Sequence, residues 1–166
     1  MLTSDEIPVA HTPEGGWQGE MPPPILAGCS EPLVDGAPDL RGLWEVVAVE
    51  INRTLIPRDG HRAYGMLQRI EQAGNRMVVT GSGVIHDMRC DGTTAHGVRD
   101  VAERDFTTKI TVVATYEDGV HVLRPVGIPI EVTRRLDGEE MVWNYVGFSA
   151  RLRRILETTP SESAPQ

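Results

Sequence analysis

The 166-residue sequence is poor in cysteine and in basic residues and has no long apolar run, and each shortage argues against a class of protein. Two cysteines, Cys29 and Cys90, are too few for a disulfide framework, and we expect free thiols, as in a reducing compartment. With 16 Lys and Arg against 24 Asp and Glu, the net charge is −8, which argues against binding to nucleic acid phosphates. No apolar run approaches the roughly 18 residues of a membrane-spanning helix.

Signatures of metal binding and of catalysis are also missing. His61, His96 and His121 lie on separate segments without metal-ligand spacing, and neither cysteine belongs to a Cys-x-x-Cys pair. No nucleotide-binding glycine loop, Ser-His-Asp order or paired-carboxylate signature stands out. The sequence therefore predicts no metal site and no cofactor.

The first residues carry Asp5 and Glu6 and have neither a basic region nor an apolar stretch, so we expect no secretory signal and a cytoplasmic protein. Residues 1–38 are dense in Pro and Gly without periodicity, which predicts an extended or disordered arm. In the alternative, the arm folds over the mouth of a barrel as a lid and docks its two apolar patches there, Trp17 and Ile25-Leu26.

An ordered domain is predicted for residues 39–157, and a polar, disordered tail for residues 158–166. The last third of the domain has five short β-prone segments: Lys109–Tyr116, Val120–Arg124, Ile128–Leu136, Met141–Val146 and Ser149–Leu156. Asp-Gly turns follow the first and third segments, and such short connections permit only antiparallel neighbours.

The earlier part of the domain continues this pattern. We predict strands at Leu43–Ile51, Met66–Glu71, Arg76–Thr80 and Val84–Cys90, a loop at Asn52–Gly65, a kink or bulge at Gly81–Gly83, and a short polar strand within Thr93–Val101. With no helix to cover it, such a sheet buries its apolar face either by closing on itself as a barrel or by packing as a sandwich. The predicted fold is all-β: a single antiparallel up-and-down β-barrel of 8 to 10 strands with a Pro/Gly-rich N-terminal arm.

Gly42-Leu43-Trp44 at the start of a first strand, followed by a β-meander and an Arg-bearing last strand, resembles the calycin barrels, which are the lipocalins and fatty-acid-binding proteins. The chain end resembles the second group, in which a Gly-containing turn leads to a last strand with Arg-x-Tyr. Arg151 matches the Arg, and Arg153 replaces the Tyr. The helix-turn-helix of fatty-acid-binding proteins does not fit within residues 52–65.

The resemblance implies a lumen that holds one small molecule, and Trp44 packed against an arginine of the last strand as a structural pair. His86 alternates with the more apolar positions of its strand and is a candidate lumen residue; the alternative is a hydrogen-bonded core histidine. Asp87 and Arg89 point the other way, and we expect them to be solvated.

Arg151 and Arg153 share one side of the last strand and could hold an anion in the lumen, while Arg154 points to the opposite side. The alternative is that both face water, or that one packs on Trp44. Arg124, before a proline at a strand end, is a third candidate ligand for an anion. Trp143 and Tyr145 share a face and form either lumen wall or outer packing.

Three functions follow from this sequence. The first hypothesis is an intracellular binding or carrier protein for a small hydrophobic or amphipathic molecule, with or without a carboxylate, in the barrel lumen. The alternative is a small β-barrel enzyme, an isomerase or cyclase, with His86 or Tyr145 as acid or base. A third possibility is a structural β-domain with a filled core. We expect neither a nucleic acid partner nor a membrane span, and nothing in the sequence specifies an oligomeric state.

Overall fold

The computed structural model describes residues 2–155 and, among them, eleven β-strands and one short 3-10 turn, Ser4–Glu6. The strands are β1 (Gly42–Ile51), β2 (Thr54–Ile56), β3 (Leu67–Ala73), β4 (Arg76–Gly81), β5 (Val84–Arg89), β6 (Val98–Val101), β7 (Lys109–Glu117), β8 (Val120–Pro125), β9 (Val132–Asp137), β10 (Glu140–Tyr145) and β11 (Phe148–Ile155). Within this part of the chain, no helix has the length and apolar character needed to cross a membrane. The tail predicted at 158–166 lies outside the described residues.

Ten of these strands form one antiparallel sheet in the order β5-β4-β3-β1-β11-β10-β9-β8-β7-β6, and β2 pairs only with β1. The first long strand pairs with the last, which rolls the sheet into a barrel. Its two edges, β5 and β6, meet where Arg89 N–H donates to the His96 carbonyl, at 2.7 Å. The predicted antiparallel barrel is therefore confirmed, with ten strands in the nearly closed wall and β2 as an extra strand.

Three local predictions differ from the structure. The segment predicted as a loop contains β2, because Asn52 and Arg53 adopt positive φ (51° and 65°) and turn the chain back onto β1. Ser82-Gly83 forms the hairpin turn between β4 and β5, and Gly81 pairs with Val84, so the glycine-rich segment is not a bulge within one strand. The ninth strand begins only at Val132, after a proline that has no N–H to donate to a ladder.

Large apolar side chains fill one end of the barrel. Trp44 is fully buried, and its indole N–H donates to the Leu40 carbonyl at 2.8 Å. Arg154 pairs with Trp44 across β1 and β11, and its guanidinium carbon lies 4.5 Å from the ring centroid. The expected pairing of Trp44 with a terminal arginine is confirmed as a structural contact, and this closed end holds Val46, Met77, Met141 and Leu152.

The N-terminal arm covers the outer face of β3, β4 and β5. Leu26 packs there against Ala73, Val78 and Ile85 in a second apolar cluster, which also contacts Trp17. The sequence suggested docking of Trp17 and Leu26, and both dock, but on the outside of the barrel and not over its mouth. The boundaries 1–38 and 39–157 remain predictions.

A buried ion pair anchors the arm. Arg76 and Asp87 form two hydrogen bonds, and Arg76 also donates to the backbone carbonyls of Ser4, Ile7 and Pro8. Asp87 was expected to be solvated; it is buried because the arm lies over that face.

The arm also links the two sheet edges. Thr12 accepts a hydrogen bond from the Ile85 N–H of β5, at 2.9 Å, and its own N–H donates to Asp100 of β6, at 3.0 Å. Thr12 therefore connects β5 and β6 across the seam, which is the gap between the two edges of the sheet.

Candidate functional site

The half of the barrel opposite Trp44 is hollow. A cavity of about 540 Å³ opens between the strand ends, and Val126, Ile128 and Val146 lie exposed at its rim. Its walls are largely apolar, with Val79, Val98, Val112, Leu123 and Val132 among them. A cavity of this volume and character suits one small molecule. None of the described arm residues, which begin at Leu2, lines it.

Arg134 forms the floor of the cavity. It projects inward from β9, only 5% of its surface is exposed, and its Nε donates across the lumen to Gln68 Oε1 of β3, at 3.2 Å. Its Nη1 has no hydrogen-bond partner in residues 2–155. The neighbouring Trp143 on β10 contacts the guanidinium through its ring, whose centroid is 5.5 Å from the guanidinium carbon. The buried Nε1–H of Trp143 also has no hydrogen-bond partner in residues 2–155.

The guanidinium of Arg134 is charged at neutral pH in spite of its burial. Burial lowers its pKa to about 10, and the nearby Glu103 and Tyr145 act in the opposite direction. A buried charge without a full set of partners is costly, and guanidinium groups and indole N–H groups only donate. The floor is thus complementary to an acceptor, and above all to an anion.

Behind the floor, His121 of β8 stands directly opposite Arg134 in the ladder. It is fully buried, and in the described chain neither ring nitrogen has a hydrogen-bond partner. Burial, with a smaller contribution from the Arg134 charge, lowers the pKa of His121 well below 6.5. The ring is therefore neutral at physiological pH.

His86 lies on the inner face of β5 and lines the cavity, as the alternation of its strand predicted. Its Nε2 is 2.9 Å from the Val101 carbonyl. Because a carbonyl oxygen only accepts, Nε2 carries the proton and Nδ1 is left as an acceptor. Burial lowers the pKa of His86, which favours this neutral form.

Trp143 and Tyr145 both line the cavity, which resolves the choice between lumen wall and outer packing. Their rings pack at a centroid distance of 4.9 Å, and Phe148 joins the cluster at 5.5 Å from Trp143. The Tyr145 hydroxyl donates to Glu103 Oε1, at 2.8 Å. Burial, followed by the Glu103 charge, raises the pKa of Tyr145, so the phenol keeps its proton.

The structure corrects the predicted orientation of Arg151 and Arg153. The inner face of β11 carries Phe148, Ala150 and Leu152, so the two arginines point outward. Arg151 pairs with Asp137 and Glu140, Arg153 pairs with Glu140, and their side chains are 38% and 66% exposed. Neither lines the cavity, because their parity on the strand is opposite to that of the core residues.

Arg124 is likewise on the outer surface. Its guanidinium binds Glu117 at 2.6 Å and Glu131 at 2.8 Å, and all three side chains are more than one-third exposed. Of the six residues predicted from the sequence, the cavity brings together His86, Trp143 and Tyr145 and excludes the three arginines.

Sequence reasoning missed Arg134, Gln68 and Glu103. A signal for the first was present: Arg134 shares its side of β9 with Val132 and Leu136, so it is a lone charge on the apolar face of its strand. Gln68 gave no such signal. Glu103 follows a strand that is too short for its alternation to be read. In the described part of the chain, no three His, Cys, Asp or Glu side chains converge as metal ligands would.

No protein-family model matches the chain, and a search of curated proteins finds no match. Among solved structures, it is similar to zebrafish ileal bile acid-binding protein complexed with cholic acid, with 15% identity and a TM-score of 0.51 over 69% of this chain and 98% of that one. Human cRBP IV matches with 11% identity and a TM-score of 0.46, over 70% and 98%. At such low identity the first likeness shows the fold alone, and it confirms the calycin-like barrel; the second adds no argument.

Proposed function

We propose that this protein binds a small amphipathic molecule in the barrel lumen and holds its anionic group at Arg134. The observation that carries the proposal is a guanidinium only 5% exposed, at the floor of an open cavity, with Nη1 unpartnered within residues 2–155. A carboxylate at this floor would supply the missing acceptor. An intracellular carrier role is part of the same proposal.

The chemistry of the floor supports an acid over a neutral ligand. Arg134 Nη1 and Trp143 Nε1 are donors on adjacent strands, and a hydrogen bond to a charged group is worth about 1.5–3 kcal/mol. The ligand's apolar part would contact the valine and leucine walls. Since Trp44 and its neighbours fill the other end of the barrel, the cavity favours a short amphiphile over a long one.

The test compares a medium-chain fluorescent fatty acid with its neutral alcohol analogue. In Arg134→Met, we expect the acid to lose affinity roughly ten- to a hundredfold, since one charge-assisted hydrogen bond is removed, while the alcohol is nearly unaffected. Arg151→Gln is the matched control, because it removes an arginine of the outer surface. It should bind both ligands as the unaltered protein does.

Equal losses of acid and alcohol in Arg134→Met would indicate a damaged barrel, which the near-ultraviolet circular dichroism of the buried tryptophans would reveal independently. Unchanged affinity for the acid in a folded Arg134→Met protein would contradict the proposal.

A second candidate function is favoured by His86. Its neutral ring offers an acceptor nitrogen within the same cavity as Arg134 and Tyr145, which is an arrangement suited to proton abstraction and return in an isomerase. Incubation of an unsaturated acid in deuterated water tests it. Incorporation of deuterium onto a carbon of the acid by the unaltered protein, and its loss in His86→Phe, would support the enzyme over the carrier.

A further inference from the structure

Polar groups in the cavity are arranged by type along its depth. At the floor, Arg134 Nη1 and Trp143 Nε1 are buried donors without a partner in residues 2–155. Nearer the mouth, Glu103 offers carboxylate oxygens and His86 offers the acceptor Nδ1, because its other nitrogen is committed to Val101. The cavity therefore has a donor end and an acceptor end.

Glu103 is held in place but not neutralised by an ion pair. Oε1 accepts the hydroxyl hydrogen of Tyr145, and Glu103 forms no salt bridge within residues 2–155. Three cationic side chains line the same opening: Arg62, Arg104 and Lys109. Of these, Arg104 pairs with Asp105. The Tyr145 hydrogen bond fixes one oxygen, and the carboxylate retains further acceptor capacity.

The spacing of the two ends follows from β10. Trp143 at the floor and Tyr145 beside Glu103 are successive inward positions on this strand, so their Cα atoms are about 7 Å apart along it, and their ring centroids are 4.9 Å apart. A ligand with its carboxylate at Arg134 would bring atoms about 5–7 Å further along its chain to the level of Tyr145 and its hydrogen-bond partner Glu103.

We propose that the ligand is an amphipathic acid bearing a second hydrogen-bond donor, a hydroxyl or an amine, near the middle of its length, and that Glu103 binds this donor. This inference rests on the proposed function, because it assumes that the acid group is at Arg134. A plain hydrocarbon acid would leave the acceptor end of the cavity unmatched.

The experiment uses isothermal titration calorimetry with dodecanoic acid and three analogues: one hydroxylated in the middle of the chain, one with an amine at the same carbon, and one hydroxylated at the far end. Each is titrated into the unaltered protein, Glu103→Met, Arg134→Met, and the charge-matched control Glu139→Met, in which an exposed glutamate is replaced. We expect the mid-chain hydroxyl or amine to improve affinity roughly tenfold or more over the plain acid, and the far-end hydroxyl not to do so.

In Glu103→Met that advantage should disappear while the plain acid binds as well as before or better, since a like charge is gone. The Glu139→Met control should preserve it, and the tighter of the two mid-chain analogues identifies the donor. The inference is overturned if neither mid-chain analogue exceeds the plain acid, or if the advantage survives in Glu103→Met. Failure of the proposed function gives a different pattern, in which the plain acid does not bind or is insensitive to Arg134→Met.

Discussion

At the scale of single residues, buried polar groups separate the two halves of the barrel interior. On the closed side, Trp44 finds an acceptor in the Leu40 carbonyl, and its ring is covered by Arg154. On the boundary, Arg134 and Trp143 retain donors without partners in the described chain. Native proteins rarely leave buried donors unsatisfied without a functional reason, so this boundary is where a ligand matters most.

His121 should make stability depend on pH. Its pKa is lowered in the folded protein, so below about pH 6.5 the unfolded chain binds a proton that the native ring does not. Stability should therefore fall as the pH drops from 7 to 5, by up to about 1.4 kcal/mol per pH unit, and His86 acts in the same direction. Urea unfolding at a series of pH values from about 5 to about 8 measures this slope.

The matched variant is His121→Leu, which removes both the titrating group and two unsatisfied nitrogens. Its stability should vary less with pH, and its advantage over the unaltered protein should grow toward acid pH. If the slope of stability against pH were the same in His121→Leu as in the unaltered protein, the pKa of His121 would not differ between the folded and unfolded states, contrary to this prediction.

Trp44→Ala should destabilise the protein by about 3–5 kcal/mol, as other large-to-small aromatic changes in cores do. The indole is fully buried, and its loss also leaves Arg154 without the ring it covers. Equilibrium urea unfolding provides the measurement, and Leu55→Ala, at a residue 65% exposed, is the control. A cost under about 1 kcal/mol for Trp44→Ala would be inconsistent with its place in the core.

The candidate site was only partly predictable from single residues. Alternation showed that Trp143 shares a face with Tyr145, and that Arg151 shares a face with Arg153, since the period of a strand is two. It did not show which face is the lumen, because a water- or ligand-filled lumen tolerates polar side chains. Glu103 was out of reach because its position depends on a turn that brings it beside Tyr145.

At the scale of elements, the hairpins of the last third were predicted well because short local motifs containing Asp and Gly mark their turns. Asp118-Gly119 forms the two-residue turn that sets the register of β7 with β8, as predicted. The turn between β9 and β10 consists of Gly138 and Glu139, because Asp137 pairs with Glu140 as the last rung of the ladder. The short strand β2 was missed because it depends on two non-glycine residues with positive φ, a backbone conformation that the amino-acid composition does not predict.

The hydrogen bonds that Arg76 of β4 makes to Asp87 and to the arm should contribute strongly to the free energy of unfolding. Arg76→Met would leave Asp87, 1% exposed at its side chain, as an uncompensated buried charge, for which the cost is about 3–5 kcal/mol. Urea unfolding measures it. The double variant Arg76→Met/Asp87→Leu should recover part of the loss, because no buried charge then remains.

The comparison is the exposed pair of Arg151 with Asp137, whose loss in Arg151→Gln should cost no more than about 1 kcal/mol. Equal costs for Arg76→Met and Arg151→Gln would show that the arm does not bury the Arg76 pair in solution.

At the scale of the whole molecule, the arm and the barrel depend on each other. The barrel leaves an apolar outer face and a seam, and the arm covers the first with Leu26 and bridges the second with Thr12. Composition alone predicted an extended or disordered arm, because contacts between segments so distant in sequence produce no local periodicity.

Deletion of residues 2–31 should lower the thermal midpoint by about 10 °C or more, since it exposes the Leu26 cluster and strips the carbonyl partners from Arg76. Binding of the fluorescent acid should persist at temperatures where the shortened protein is folded, because none of the arm residues that the structure describes lines the cavity. An unchanged midpoint would indicate that the arm does not contribute to stability, and lost binding by a folded variant would make the arm part of the site.

During synthesis on the ribosome, β1 emerges long before β11, the strand it pairs with. Until the last strand is released, one edge of β1 is unpaired, and the apolar side that carries Trp44 and Val46 lacks its cover from Leu152. Closing so long a loop is entropically costly, and exposed strand edges invite association with other chains. The barrel is thus completed only once β11 has left the ribosome, and a nascent chain stalled before β11 would be a substrate for chaperones rather than a partly working protein.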